Sequence, residues 1–218
     1  MFVLNNKRQL QPGKSWKDDD GFTHPSNWAS AWSADEKKSR GIKEVTVQAK
    51  PDETFYSVSG PALDGSWTST AKKLDDVTVT NFDGEKITAL GLKSQWIAKT
   101  KETANSFLSS TDWQVIAKAE RDRAIDSDVA TYRAAVITAC TAIEKAITDI
   151  TDTSIPSDLA TIQAKDEKDK TDADKKVVAD YEAEVATKFA AFKKLFDVPV
   201  DSDGNPTGNA PINDWPKK

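Results

Sequence analysis

The sequence predicts an α+β protein in three parts: a small antiparallel β domain over residues 1–84, an elongated helical hairpin or bundle over 85–197, and an extended C-terminal tail over 198–218. Three observations predict it. Up to Gly84 the apolar residues come in short β-branched or aromatic runs such as "IKEVTV" and "DVTVTNF", broken by Pro, Gly and Asp, the pattern of strands joined by turns. From Leu90 onward Ala, Lys, Glu, Asp and Thr dominate, and apolar positions recur three and four apart, the period of a helix face. From Val198 that period stops, and Pro, Gly and Asn take over.

The β part opens with Phe2-Val3-Leu4, a strand start. In "SWKDDDGFTHP" an Asp-Gly turn lies between Trp16 and Phe22, a hairpin signal. Asp18, Asp19 and Asp20 are read as turn residues rather than cation ligands, because Asp and Gly both serve tight turns. In "WSADEKKSRGI", Ser33 and Glu36 have capping-box spacing, in which each side chain satisfies an amide that the first turn of a helix leaves orphaned. Gly41 suits the left-handed residue that ends a helix, so a short helix is expected from Ala34 to Arg40. Trp16, Trp28, Trp32 and Trp67 all fall in this part. A small sheet needs large side chains to make a core, so most of these indoles are expected to be buried.

In the helical part Leu92, Trp96, Phe107 and Leu108 suit one helix face. Val129, Tyr132, Val136, Cys140, Ile143, Ile147 and Ile150 form a second stripe, and Val178, Tyr181, Val185, Phe189, Phe192 and Phe196 a third. Both longer stripes are narrow and belong to helices of about 20 residues, hence about 30 Å long. Such stripes are seams between helices, closed either within the chain as a hairpin or between copies as a trimer or ring. Ile155-Pro156 marks a turn between them. The charge run "AKDEKDKTDADKK" mixes signs at helical spacing and reads as a solvated face. In the tail, Asp201, Asp203 and Asn205 lack the Gly and Glu positions of a calcium loop. Trp215 needs a place to dock, on its own domain or on a neighbouring subunit.

Between the first two stripes, Thr111 and Gln114 again have capping-box spacing and predict a helix from Asp112, with Trp113, Ile116 and Ala117 facing one way. That helix is expected to fade around Ile125, and Ser127 and Asp128 to cap the next. Glu120, near the stripe, would seek a cation if buried; Arg133, Arg121 and Arg123 compete for it.

Chemistry is scarce. A formal charge of −5 gives no basic footprint for nucleic acid, and no apolar run approaches the roughly 20 residues of a membrane span. The N-terminus lacks the apolar core of a secretory signal. His24, the only histidine, reads as a loop residue before Pro25, and the only cysteine, Cys140, as a small buried hydrophobe. The single thiol fits assembly in a reducing host cytoplasm. With no phosphate loop, nucleophile elbow or metal-ligand spacing, the expectation is a non-enzyme with no catalytic residue, no metal and no cofactor.

The segments "LSSTDWQVI" and "SDVATYRAAVITA" resemble the C-terminal region of tailed-bacteriophage tail assembly chaperones and tail-fibre-associated proteins, which carry a Thr-Asp-Trp and, further along, a Tyr-Arg on a helix. The matching positions are Thr111, Asp112, Trp113, Tyr132 and Arg133. The order of a turn, Pro25-x-Asn27-Trp28, a capped helix ending in Gly41-Ile42 and Asp52-x-x-Phe55-Tyr56 is also similar to segments of phage tail proteins. Those chaperone-like chains close soon after the Tyr-Arg helix, whereas this one continues through a further striped helix to Trp215. The resemblance therefore implies a structural or adaptor protein of a virion tail or tail fibre, with a non-virion assembly chaperone as the alternative. Its partners would be other tail or fibre proteins or copies of itself, and its expected interaction residues are Trp113, Tyr132, Arg133 and Trp215.

Overall fold

In a computed structural model of the chain, which describes residues 1–217, helices and small antiparallel sheets are mixed. The chain divides into two compact units, Met1–Lys72 and the part from Lys73 onward.

The first unit is built on β1 (Phe2–Leu4), which lies between β2 (Arg8–Leu10) and β5 (Ile42–Glu44) in a three-stranded antiparallel sheet. Asn5 and Asn6 turn β1 into β2 at φ 49° and 55°, a conformation that Asn tolerates better than most residues. A second hairpin pairs β3 (Trp16–Lys17) with β4 (Thr23–His24) across the expected Asp-Gly turn. There Asp18 Oδ1 accepts the amides of Asp20 and Phe22 at 3.1 and 2.8 Å, so this carboxylate holds the turn. His24 is not a loop residue. It sits in β4, buried, with Nε2 3.0 Å from Asp18 Oδ2 and its ring 4.2 Å from that of Trp16.

Helix α1 (Trp28–Ala31) and helix α2 (Ala34–Ser39) cover the sheet. The capping box forms as expected, with Ser33 and Glu36 each accepting the other's amide, and Gly41 takes φ 72°. A Cβ at Gly41 would also overlap the Asn5 side chain. Leu4, Leu10, Trp16, Trp28 and Ile42 form the core, with Phe2, Ala29 and Trp32 packed against it. Trp28 is fully buried, and its indole N–H donates to the Lys14 carbonyl at 3.1 Å. Trp16 is buried too, whereas Trp32 and Trp67 are half-buried. The hairpin of β6 (Tyr56–Ser59) and β7 (Thr68–Ala71) completes the unit.

The second unit opens with the hairpin of β8 (Val77–Thr80) and β9 (Lys86–Ala89), which the sequence pattern had grouped with the N-terminal sheet. Then follow α3 (Leu92–Ser109), α4 (Asp112–Arg121), α5 (Ser127–Thr148), α6 (Leu159–Gln163) and α7 (Asp172–Lys194). Helices α3 and α5 run antiparallel, since the start of each is bonded to the end of the other. The predicted stripes face inward. Val136, Ile143 and Ile147 of α5 and Phe189 and Phe192 of α7 are buried, and the remaining stripe positions are half-buried. Their seams are thus closed within the chain. A second capping box, Thr171 with Asp174, starts α7.

One buried cation ties this unit together. Lys93, in the first turn of α3 with 10% of its side chain exposed, lies 2.6 Å from Asp75 Oδ1 and also pairs with Asp152. Its ammonium donates to the Ile150 carbonyl at 3.0 Å, while the Thr153 amide donates to Asp75 Oδ2 at 2.9 Å. The segment before β8, the start of α3 and the end of α5 therefore meet at one charge. Gly91 lets the chain make this approach: a Cβ there would lie 2.2 Å from the Leu74 carbonyl oxygen.

Burial alone would raise the Asp75 pKa, but the Lys93 ammonium and the Thr153 amide outweigh it and hold the carboxyl below its usual value. Burial likewise works against the Lys93 charge, and Asp152 and Asp75 together raise its pKa. Replacing Lys93 with Met leaves Asp75 charged and partly desolvated, so it should destabilise the second unit by about 3 kcal/mol in urea unfolding. The pH dependence follows from the signs. A carboxyl depressed in the fold contributes stability above its unfolded pKa of about 4 and loses it as pH falls through the folded value. Asp174, held down to about 2 by Lys165 and the Thr171 amide, adds to the same window. Thermal midpoints should be flat near neutrality and fall between about pH 4 and 2, and the Asp75→Asn variant should show a shallower fall.

Candidate functional site

The residues that carry the sequence resemblance lie where α3, α4 and α5 meet. Thr111 precedes α4 and has the spacing of a cap, yet its hydroxyl does not accept the Gln114 amide. It donates instead to the Leu108 carbonyl at 2.9 Å and accepts from the Arg133 guanidinium at 2.7 Å. The same nitrogen of Arg133 donates to the Leu108 carbonyl at 2.9 Å and lies 2.9 Å from Asp112 Oδ1. Thr111, Asp112 and Arg133 thus form one clamp between the end of α3, the start of α4 and the first turns of α5. The expected Glu120 pair does not form: Glu120 is exposed on α4, and the carboxylate that meets Arg133 is Asp112. Asp112 holds a first-turn position, where its charge also suits the helix dipole.

Gln114 is buried with both ends of its carboxamide paired to Asp126. Its oxygen accepts the Asp126 amide at 2.9 Å, and its nitrogen donates to Asp126 Oδ2 at 2.8 Å. Asp126, spent in this pair, precedes α5 without capping it, and neither Ser127 nor Asp128 takes over as the cap. Helix α4 ends at Arg121, where Asp122 adopts φ 52°, earlier than the Ile125 expected from the sequence. With Gln114 turned inward, the apolar face of α4 turns out: Trp113 is 51% exposed and Ile116 55% exposed. The Trp113 ring is steadied by the Arg123 guanidinium 5.3 Å from its centroid, a contact worth about 0.5–1 kcal/mol at an exposed site.

Tyr132, one residue before Arg133, is half-buried and lines a groove with Val129, Ala135 and Pro216. Trp215 docks on its own unit, edge to face with Phe107 of α3 at 5.4 Å. The chain before it is anchored by buried Ile212, whose amide donates to the Leu195 carbonyl at 2.9 Å. The four expected residues therefore do not converge on a single pocket. Arg133 is a brace, Tyr132 and Trp215 belong to the seat of the tail, and Trp113 alone presents an open apolar surface.

The Lys93 centre and the Gln114–Asp126 pair escaped the sequence reading. Lys93 had a signal: with Trp96, Thr100, Ala104 and Phe107 it continues one helix face at steps of three and four, so a cation there is directed inward. Gln114 had none beyond its misleading cap spacing. Cys140 donates to Glu144 Oε1 at 3.2 Å, and burial followed by that carboxylate pushes its pKa up to about 11. The thiol is thus protonated at neutral pH and a poor nucleophile. Asp201, the tail acid, accepts the amides of Asp203 and Asn205 at 2.9 and 2.8 Å and closes a tight turn. Among the described residues no group of three or more His, Cys, Asp or Glu side chains is placed to hold a metal ion, and no helix is long and apolar enough to cross a membrane. No protein-family model, curated protein or solved structure matches the chain.

The clamp is tested by a double-mutant cycle. Asp112→Ala and Arg133→Ala should couple by about 1 kcal/mol in unfolding free energy, as expected of a partly exposed pair. Glu120→Ala and Arg133→Ala should be additive. Reversal of charge in Arg133→Glu should cost about 3 kcal/mol, because it sets a carboxylate against Asp112 and removes the donor to Leu108.

Proposed function

We propose that this chain is a structural or adaptor component of a bacteriophage virion, in the tail or tail fibre, acting by protein–protein contacts. It would be made in the host cytoplasm, take its place beside other tail or fibre proteins or copies of itself, and need neither cofactor nor nucleic acid. The observation that supports this reading most directly is the fate of the Thr111-Asp112-Trp113 and Tyr132-Arg133 segments. Three of these five side chains are spent on the clamp, and the indole beside them is left exposed on a braced helix.

A large aromatic held rigidly at the surface loses little conformational freedom on binding, and tryptophan is enriched among the residues that dominate interface energies. Ile116, one turn further along α4, widens the apolar patch. Arg123, over the indole, supplies a cation at its rim. A surface of this kind suits a stable contact with another protein.

Mass spectrometry of purified particles tests the proposal, which expects the polypeptide at a stoichiometric copy number. Absence from particles, with a complex to a fibre protein in infected lysate, would instead identify an assembly chaperone. The Trp113→Ala variant should stay folded and lose only about 1 kcal/mol of unfolding free energy, mainly the contact with Arg123. Its incorporation should fall as for an interface hot spot, equivalent to about 2 kcal/mol.

A further inference from the structure

Strand β5 is the outer strand of its sheet, so one of its edges meets no other strand among the described residues. The ladder with β1 decides which backbone groups lie on that edge. The Val45 amide donates to the Met1 carbonyl at 2.7 Å and the Asn5 amide to the Gly41 carbonyl at 2.9 Å, while Val3 stands opposite Lys43. Bonded pairs alternate along an antiparallel ladder. Lys43 therefore bonds to β1, and the N–H and C=O groups of Ile42 and Glu44 point the other way, with no backbone partner among the described residues. They border a cleft of about 630 Å³ between this edge and one face of α2, where Ala34, Lys37 and Lys38 are spaced three and four apart. Ile42 turns its side chain into the core, so it meets the cleft with its backbone. Asn5 and Asn6 line the cleft beside Gly41.

The charge of the cleft is one-sided: Lys37, Lys38 and Lys43 line it against Glu44 alone. Lys37 is spent, since its ammonium donates to the Ala29 carbonyl at 2.6 Å. Lys38 and Lys43 are exposed, and neither enters an ion pair among the described residues. We infer that the cleft receives an extended acidic segment of another protein, which adds as a strand to the free edge of β5. Its main chain bonds the outward groups of Ile42 and Glu44, the mode in which sheet edges take up peptides. The two free cations flank it on opposite sides. Ile42 and Glu44 share a face with Phe2, whose ring centroid lies 5.4 Å from the Lys37 ammonium, so α2 and Lys38 border that face. Lys43 shares the opposite face with Val3. Carboxylates on either face of the added strand thus meet a cation. A second copy of β5 is the wrong occupant. The two-fold register that bonds both Ile42 and Glu44 sets Lys43 directly against Lys43, and like charges so placed are destabilising. The cleft belongs to the first unit and Trp113 to the second, so the two contacts stand or fall separately.

The probe is a fluorescein-labelled peptide of Glu, Val and Thr, about ten residues long, titrated with the full chain and followed by fluorescence anisotropy. It should bind, and more weakly as salt screens the exposed charges. The double variant Lys38→Glu, Lys43→Glu should weaken binding at least about tenfold, the equivalent of about 1.4 kcal/mol. Lys86→Glu, on β9, should not, and far-UV circular dichroism should show both variants folded. Amide hydrogen exchange reads the edge itself. In the free chain Ile42 and Glu44 should exchange faster than Lys43, and with the peptide bound both should slow at least about tenfold. Failure of the peptide to bind would overturn the inference. So would equal binding of the same peptide N-methylated throughout, or binding that leaves the Ile42 and Glu44 amides unprotected.

Discussion

The second unit depends on the Lys93 ammonium. A desolvated cation is costly unless its donors are filled, and here they are filled by Asp75, Asp152 and the Ile150 carbonyl. Those partners come from segments far apart in sequence, so the charge is satisfied only when the hairpin, α3 and the end of α5 are all in place. Hydrophobic stripes alone would permit α3 to slide along α5 by a turn at modest cost. A buried ion that must meet one carbonyl and one carboxylate does not permit it. The interaction thus fixes register, a role for which net stabilisation is not required.

At the opposite end of the same helix pair, Arg133 does the corresponding work. It stands in the first turns of α5 and donates to the Leu108 carbonyl in the last turn of α3, just as Lys93, in the first turn of α3, donates to Ile150 beyond α5. Each helix of the antiparallel pair therefore supplies a cation to the C-terminal end of the other. That is where unpaired carbonyls accumulate and where the helix dipole favours positive charge. The two contacts differ in kind. Lys93 is a compact charge between two acids, whereas the planar guanidinium of Arg133 is shared among a carbonyl, a hydroxyl and a carboxylate. A length constraint follows: α3 and α5 must match, because the chain is cross-linked by charge at both ends.

What was legible in the sequence was chiefly what is local. The Ser33–Glu36 box, the left-handed Gly41, the Asp18 turn and the inward stripes of α5 and α7 all depend on residues within a few positions of one another. The failures share a cause. Thr111 and Gln114 have the spacing of a box, but each has a better long-range partner, Arg133 for one and Asp126 for the other, and tertiary contacts override the local motif. That choice also turns α4 over, which is why Trp113 and Ile116 face outward although their spacing suits a core. His24 looked like a loop residue because His-Pro commonly stands in turns. It is buried because Trp16 and Asp18, across a two-residue ladder, supply a ring to stack on and a carboxylate to bond. The sequence resemblance picked out residues that do come together, but as a brace. The surface they leave open carries the functional reading.

The distribution of apolar surface separates folding from association in this chain. The residues that make cores are spent: the Trp28 cluster in the first unit, and the stripe centres of α5 and α7 in the second. Even the tail indole, Trp215, is placed against Phe107 of its own unit. Much of what stays exposed lies on two short elements, α4 and the β8–β9 hairpin, each attached to the helical body by a satisfied polar contact, while Phe22, Ile137, Ile155, Val198 and Val200 are exposed elsewhere. Gln114, Asp112 and the Gly91 amide on Asp76 do the anchoring, and the hydrophobic side chains are left over. An element fixed through its polar face holds its apolar face in position before any partner arrives, so less ordering is needed on contact. The fold does not need these surfaces, so a partner could cover them without disturbing it.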